Sequence, residues 1–361
     1  MKYTLLVLCF ALMVVLPLAS ARCASNSLVR KEVRQMTPTE LSKYINAVKL
    51  LRNLTSPTTP TVTRYDTFAV IHVTQNNRIH SGANFLPWHR YYLKQLELLL
   101  QSVTNDPTIY IPYWDWSLDY LNPTASILMT DAYFGGNGGS GGCVTNGQLG
   151  KWRPKYNSNG QLVDHCLPRS FGSDMNNYPS PATLNSLIAG STTFSTLAQN
   201  VEVGPHNLVH RSIGGDMTTA ISTNDAFFFS HHAMVDRLWA NWQDANPALA
   251  NTYNGRDNTN RRVTLNDVLA GYPGITVTQV MNTTTMGYCY GNAPSTAATF
   301  SALSSQTMDA ASEEPLPHWP PVSEEYMIAK GIDPVVQAEV TARINSIIDS
   351  LNEANGFTVS K

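Results

Sequence analysis

Apolar residues recur at helical spacing in several stretches of the chain. Leu41, Tyr44, Ile45, Val48 and Leu51, behind the cap-like Thr37-Pro38-Thr39, predict a helix from Thr39 to about Asn53. Tyr65 to about Thr74 predicts a second. His89 to Leu100 predicts a third with a wide apolar face, and Ser81-Gly82-Ala83-Asn84 makes the turn between these two. The pattern returns over Thr183 to Gln199, Pro205 to Ile213, Asn224 to Asp244 and Pro334 to Asn352, so the fold class is mainly α with little β structure.

The segments between differ in character. Residues 134–183 open on Phe134 and then Gly135 to Gly142, eight residues of which six are glycine, and continue with prolines and asparagines, which predicts irregular loop rather than a second core. After Tyr288-Cys289-Tyr290-Gly291 the chain becomes rich in Ala, Ser and Thr. It then passes Pro315-Leu316-Pro317-His318-Trp319-Pro320-Pro321, a linker ahead of a C-terminal docking helix. The expected organisation is a core over residues 22–291 and a linker plus helix over 292–361.

The first 21 residues change the picture of compartment. Lys2 precedes an apolar run from Tyr3 to about Ala19 that ends in Ala19-Ser20-Ala21, a secretory signal peptide cut after Ala21. The alternative of an uncleaved anchor is disfavoured because the run is short and interrupted by Pro17. The mature chain is therefore expected to be secreted, with no membrane partner. Removing Cys9 leaves Cys23, Cys143, Cys166 and Cys289, and the favoured pairing is Cys23 with Cys289 and Cys143 with Cys166, the latter bracketing the Gly-rich stretch. Sequons at Asn53 and Asn282 suit a secreted surface. A net charge of -2 without long runs of either sign leaves no footprint for nucleic acid and favours small or neutral substrates.

Seven of the nine histidines fall into two groups, His72, His80 and His89, then His206, His210, His231 and His232. A lone histidine is more often a hydrogen-bonded core residue than a ligand, but grouping changes that. His206 and His210, four apart, project from one helical face and can share an ion. His231 and His232 point about 100° apart on a helix, so only one reaches that ion. His232 is preferred because Asp236, four residues on, can hold its imidazole from behind, and the reverse assignment stays open. His72 on a helix, His80 in the following loop and His89 at the next helix start can supply a second all-imidazole site. Such sites suit copper, zinc or iron and not calcium or magnesium.

At these residues the chain resembles a known family. His80 to Arg90 (HSGANFLPWHR), followed by Leu93 and Glu97, resembles the first copper signature of tyrosinases, catechol oxidases and molluscan haemocyanins. Asp225 to Arg237 (DAFFFSHHAMVDR) resembles the second, in which the latter histidine of the pair binds metal. Ile111 to Trp116, Gly204-Pro205-His206-Asn207 and Tyr288-Cys289-Tyr290 also match, so the resemblance covers about residues 65–291 and is most like the short secreted fungal enzymes.

The resemblance implies a four-helix bundle holding two copper ions through His72, His80, His89 and His206, His210, His232. The copper pair would bind dioxygen and act on small phenols or catechols, with products that polymerise to melanin-like pigment. It also implies that Glu202 and Asn207 hold a proton-accepting water and that Arg211 lines the entrance and influences substrate choice. The plainer readings are a solvated carboxylate, a helix-start hydrogen-bonder and a surface cation. Trp88, Trp114, Trp116, Phe227, Phe228 and Trp239 are expected in the bundle core.

Two departures stand out. Ala226 replaces the usual proline and is expected to loosen a helix start, and Arg78 occupies the position where some members carry a cysteine, so no thioether is expected. Tyrosinase, catechol oxidase and a haemocyanin-like oxygen carrier remain alternatives, Asn207 favouring tyrosinase, and a structural protein with a vestigial site is disfavoured by the complete histidine set. The C-terminal helix is expected to dock without blocking the site.

Overall fold

The computed structural model describes residue 23 and residues 26–157, 159–293 and 314–358. The expected signal peptide lies outside the described residues, and no helix among them is long and apolar enough to cross a membrane.

Helix α1 (Pro38–Asn53) starts in a capping box, Thr37 accepting from the Glu40 amide while the Glu40 carboxylate accepts from Thr37. Helices α2 (Asp66–Ile79) and α3 (Phe85–Thr104) follow the predicted order, but α2 runs five residues beyond its apolar pattern and makes His80 its C-cap. The stretch predicted as one helix over Thr183 to Gln199 is two, α4 (Pro181–Ala189) and α5 (Phe194–Val201), because Gly190 ends the first and Thr193 caps the second. A π-turn at Glu202–His206 leads into α6 (Asn207–Ile213), and α7 (Phe227–Ala245) completes the core. The start of α7 is not loose: Asp225 accepts from the Phe227 amide at 3.0 Å and is gripped at 2.6 Å and 2.9 Å by buried Arg169. All four tryptophans expected in the core are buried there with Phe227 and Phe228.

Strands β1 (Leu28–Arg30) and β2 (Tyr288–Tyr290) pair in parallel, with Val29 opposite Cys289, and the disulfides are the expected Cys23–Cys289 and Cys143–Cys166. Under this ribbon lies a buried ionic knot. Arg30 donates to Glu97 at 2.9 Å, while Asp236 of α7 accepts from Arg90, Tyr288 and Tyr290. Asp236 is thus spent on joining α3, α7 and β2 rather than on His232, which corrects the sequence expectation.

The region read as linker contains a short helix, α8 (Glu324–Lys330), before α9 (Pro334–Ala354). Val340, Ile344 and Ile348 of α9 are buried, and Ile344 seats on the kink at Gly204, where an added Cβ would lie 3.0 Å from its Cδ1. Only glycine permits so close an approach there without displacement. Burying such side chains stabilises by roughly 1.5–3 kcal/mol each, so α9 is part of the folded unit.

Candidate metal centre

The turns that follow α2 and precede α6 bring two sets of imidazoles face to face. Ring centroids in the first set lie 5.2 Å (His72 to His80), 5.8 Å (His72 to His89) and 5.1 Å (His80 to His89) apart. In the second they lie 4.5 Å (His206 to His210), 4.9 Å (His206 to His232) and 5.4 Å (His210 to His232) apart. His231 belongs to the same cluster, 4.9 Å from His210 and stacked on His206 at 5.3 Å. Within each group one nitrogen per residue comes within 4.8 Å of all the others. The groups touch through His89 and His232, stacked at 4.4 Å.

Five of the six rings are oriented from behind. The Nδ1 atoms of His72, His80, His89, His206 and His210 meet the carbonyls of Ala220, Asn76, Phe85, Glu202 and Met217 at 2.6–3.1 Å. A proton on Nδ1 donated to a carbonyl leaves the Nε2 lone pair free for a metal. The Nε2 atoms of His72, His89 and His206 are buried without any partner, and those of His210 and His232 face each other at 3.2 Å. Burial, more than mutual repulsion, holds all six well below the ordinary histidine pKa, His72 at about 4, so the donors are neutral near neutral pH. Buried, neutral, unpartnered imidazole nitrogens in two facing sets are what two transition-metal ions require.

The sequence expectation of paired groups therefore holds geometrically, but the signal for their support was absent: Met217 sits in a 3-10 turn and Ala220 in the turn after it, between α6 and α7, and carbonyls carry no residue code. His231 and His232 are equally buried, yet His231 makes no well-formed hydrogen bond through either ring nitrogen.

Glu202 and Asn207 line the same cavity as the histidines. Glu202 accepts from the Ser81 amide at 2.6 Å, and burial pushes its carboxyl up to about 8, partly opposed by the Ser81 and Gly82 amides. Neither residue is solvated. Arg211 stands outside the cavity lining and is not a free surface cation, since its Nε grips Asp174 at 2.7 Å and its guanidinium packs 5.3 Å from the Tyr326 ring. The Arg78 guanidinium donates to Gln75 at 3.3 Å and its carbonyl accepts from Asn84, and the described cysteines are both pairs of disulfides.

The helix from Pro334 docks as expected and places no residue in the cavity lining, but the stretch just before it reaches the site. Lys330 and Ile332 line the cavity, the Lys330 carbonyl accepts from Ser81 Oγ at 3.3 Å, and the enclosed space is about 20 Å³, room for roughly one water. Lys330 and Ile332 thus stand beside the imidazoles where a substrate ring would lie. Sequence reasoning missed both residues because α8 lacks an apolar face long enough to announce docking.

A helical bundle whose centre holds two facing sets of neutral imidazoles defines a binuclear transition-metal protein. A family model for the common central domain of tyrosinase matches residues 62–245. The chain is 34% identical over 288 residues to tyrosinase ustQ of Aspergillus flavus, covering 73% of this chain and 79% of that one. It is 33% identical over 245 residues to a tyrosinase of Streptomyces antibioticus, covering 61% and 84%. A polyphenol oxidase from Thermothelomyces thermophila superposes with a TM-score of 0.64 at 26% identity, covering 74% of this chain and 90% of that one. A functional unit of octopus haemocyanin shares the fold at a TM-score of 0.52 and 23% identity.

The chain belongs to the tyrosinase family. It is a copper-dependent oxidoreductase whose cofactor is a pair of copper ions in a four-helix-bundle core.

Proposed function

We propose that this protein hydroxylates monophenols to o-diphenols and oxidises o-diphenols to o-quinones with dioxygen. His72, His80 and His89 hold one copper ion and His206, His210 and His232 the other. The observation that carries this reading is the single cavity in which four of these imidazoles face Glu202 and Asn207. When bound, the copper pair shares the two-electron reduction of dioxygen between two ions.

The protein's own part is to strip and place the phenol. A phenolic proton ordinarily leaves near pH 10, and burial raises the proton affinity of Glu202 above that of an exposed carboxylate, which brings acceptor and phenol closer together. Glu202 takes that proton, directly or through a water shared with Asn207, while the Ser81 and Gly82 amides keep the carboxylate pointing into the cavity. The net conversion of a monophenol and one dioxygen gives one o-quinone and one water.

The test is oxygen uptake by copper-loaded protein with 4-methylphenol and a trace of 4-methylcatechol. Uptake in excess of the diphenol present supports the reading, whereas uptake with the catechol alone reduces it to o-diphenol oxidation. Reversible oxygenation with no turnover of either would make it a carrier. The two disulfides need an oxidising compartment, which with the apolar leader supports secretion.

A further inference from the structure

The lid over the copper site carries a charge that nothing around it neutralises. Lys330 is half-buried at the end of α8 and forms no ion pair or Nζ hydrogen bond among the described residues. Its positive field reaches His72, His80, His206 and His210, lowering the proton affinity of each. An unpaired ammonium withdrawn from water is costly, and two copper ions in the adjoining groups make its surroundings more positive still.

A second cation stands behind the first. Tyr326, one turn earlier on α8, lies between the Lys330 ammonium at 5.9 Å and the Arg211 guanidinium at 5.3 Å. Nη1 and Nη2 of Arg211 are buried without partners, as is the Tyr326 hydroxyl. Of the carboxylates nearby, Asp174 is spent on Arg211 Nε and Glu202 on backbone amides. The underside of the lid therefore has donors and positive charge in excess and no free anion of its own.

Lys330 lines the inner cavity, and Gly331 and Ile332, next to it in the chain, line the groove outside. Ser81, Glu202, Val203 and Ile332 line both the small cavity over the histidines and an open groove of about 700 Å³ outside it. A ring placed over the histidines has Lys330 and Ile332 as neighbours, which sets an acidic substituent within reach of the ammonium.

We propose that Lys330 is a substrate-anchoring residue that selects phenols bearing a carboxylate, its ammonium binding the acid group while the ring occupies the histidine cavity. The selection rests on the phenol-oxidising reading; anion binding itself does not. A lid residue that merely plugged the site would hinder charged and neutral phenols alike, so the two roles separate cleanly.

The experiment compares copper-loaded, full-length wild type with Lys330→Met and Lys330→Gln, using 3,4-dihydroxyphenylacetate and 4-methylcatechol. The ratio of KM for the acid to KM for the neutral catechol rises about tenfold in both variants, and Lys330→Arg restores it. An unchanged ratio overturns the proposal, whether both KM values fall together, as for a plug, or neither moves. Calorimetric titration of the same proteins with benzoate and with benzyl alcohol reads the anchor without turnover. Benzoate binding weakens about tenfold in the variants relative to the alcohol, and equal weakening of both overturns the anchor. If wild type oxidises neither catechol yet binds benzoate through Lys330, the proposed activity fails and the anion site stands. Should both variants fail to fold, wild type decides, because the KM ratio rises with salt if the anchor is ionic and stays flat if it is not.

Discussion

The first histidine group is gathered from two helices and the turn between them, with His80 only half-buried beneath the C-terminal segment, whereas the second rides on the π-turn, α6 and α7 with every ring buried. In the first group a backbone carbonyl orients every ring. In the second only His206 and His210 are held so, while His232 is fixed by stacking on His89 and on Phe228 at 4.0 Å. One site is therefore positioned by hydrogen bonds alone and the other in part by packing, while both contribute rings to the cavity under Lys330. The second also carries a fourth imidazole, His231, that the first has no counterpart for.

The largest test of this contrast asks which of the adjacent histidines the packed site uses. His232→Phe is expected to lose one of two copper ions and essentially all oxygen-dependent turnover, since the remaining pair of rings cannot complete a three-imidazole site. His231→Phe is expected to keep both ions and to cost about 1–3 kcal/mol of stability, the range of a buried substitution near a polar cluster. Copper counted by elemental analysis against protein concentration reads both. Two ions in His232→Phe and one in His231→Phe would exchange the roles.

How much of this was legible in the sequence depended on whether the determinant was a side chain at a fixed spacing. The pair at 206 and 210 announces a shared face through the helical period alone, and the groups His72, His80, His89 stand out by density. The four-residue step from His232 to Asp236 carried the same kind of signal and misled, because two tyrosines and an arginine brought in from β2 and α3 claim that carboxylate. The carbonyls of Ala220 and Met217 and the seating of α8 on Ser81 were invisible for a different reason. Each depends on long-range placement of backbone, which leaves no pattern within a ten-residue window.

A smaller effect separates the support of the two groups from their ligands. Asp236→Asn leaves Arg30 and Arg90 buried with a weakened partner and should cost on the order of 3–5 kcal/mol in urea unfolding, without lowering copper content below two ions. The charge loss propagates to β2 through Tyr288 and Tyr290 and does not reach an imidazole directly. Loss of one copper ion at unchanged stability would return Asp236 to the role the sequence suggested.

The smallest effect is a pH slope that only the unliganded fourth imidazole can produce. Burial pushes His231 down from 6.5 to about 3, so between those values the unfolded chain binds a proton that the folded chain refuses. The stability this represents is intact above the unfolded pKa and is lost as pH falls from 6.5 toward 3, by up to about 1.4 kcal/mol per pH unit. In copper-loaded protein the six ligand rings are held deprotonated by metal as well as by burial, and they contribute alike to wild type and variant. Urea midpoints of the loaded proteins between about pH 4 and 6 should therefore fall more steeply for wild type than for His231→Phe, by close to one proton's worth of slope. Parallel slopes would mean that His231 already has a partner in the loaded state, and the packed group would then hold its copper with four imidazoles rather than three.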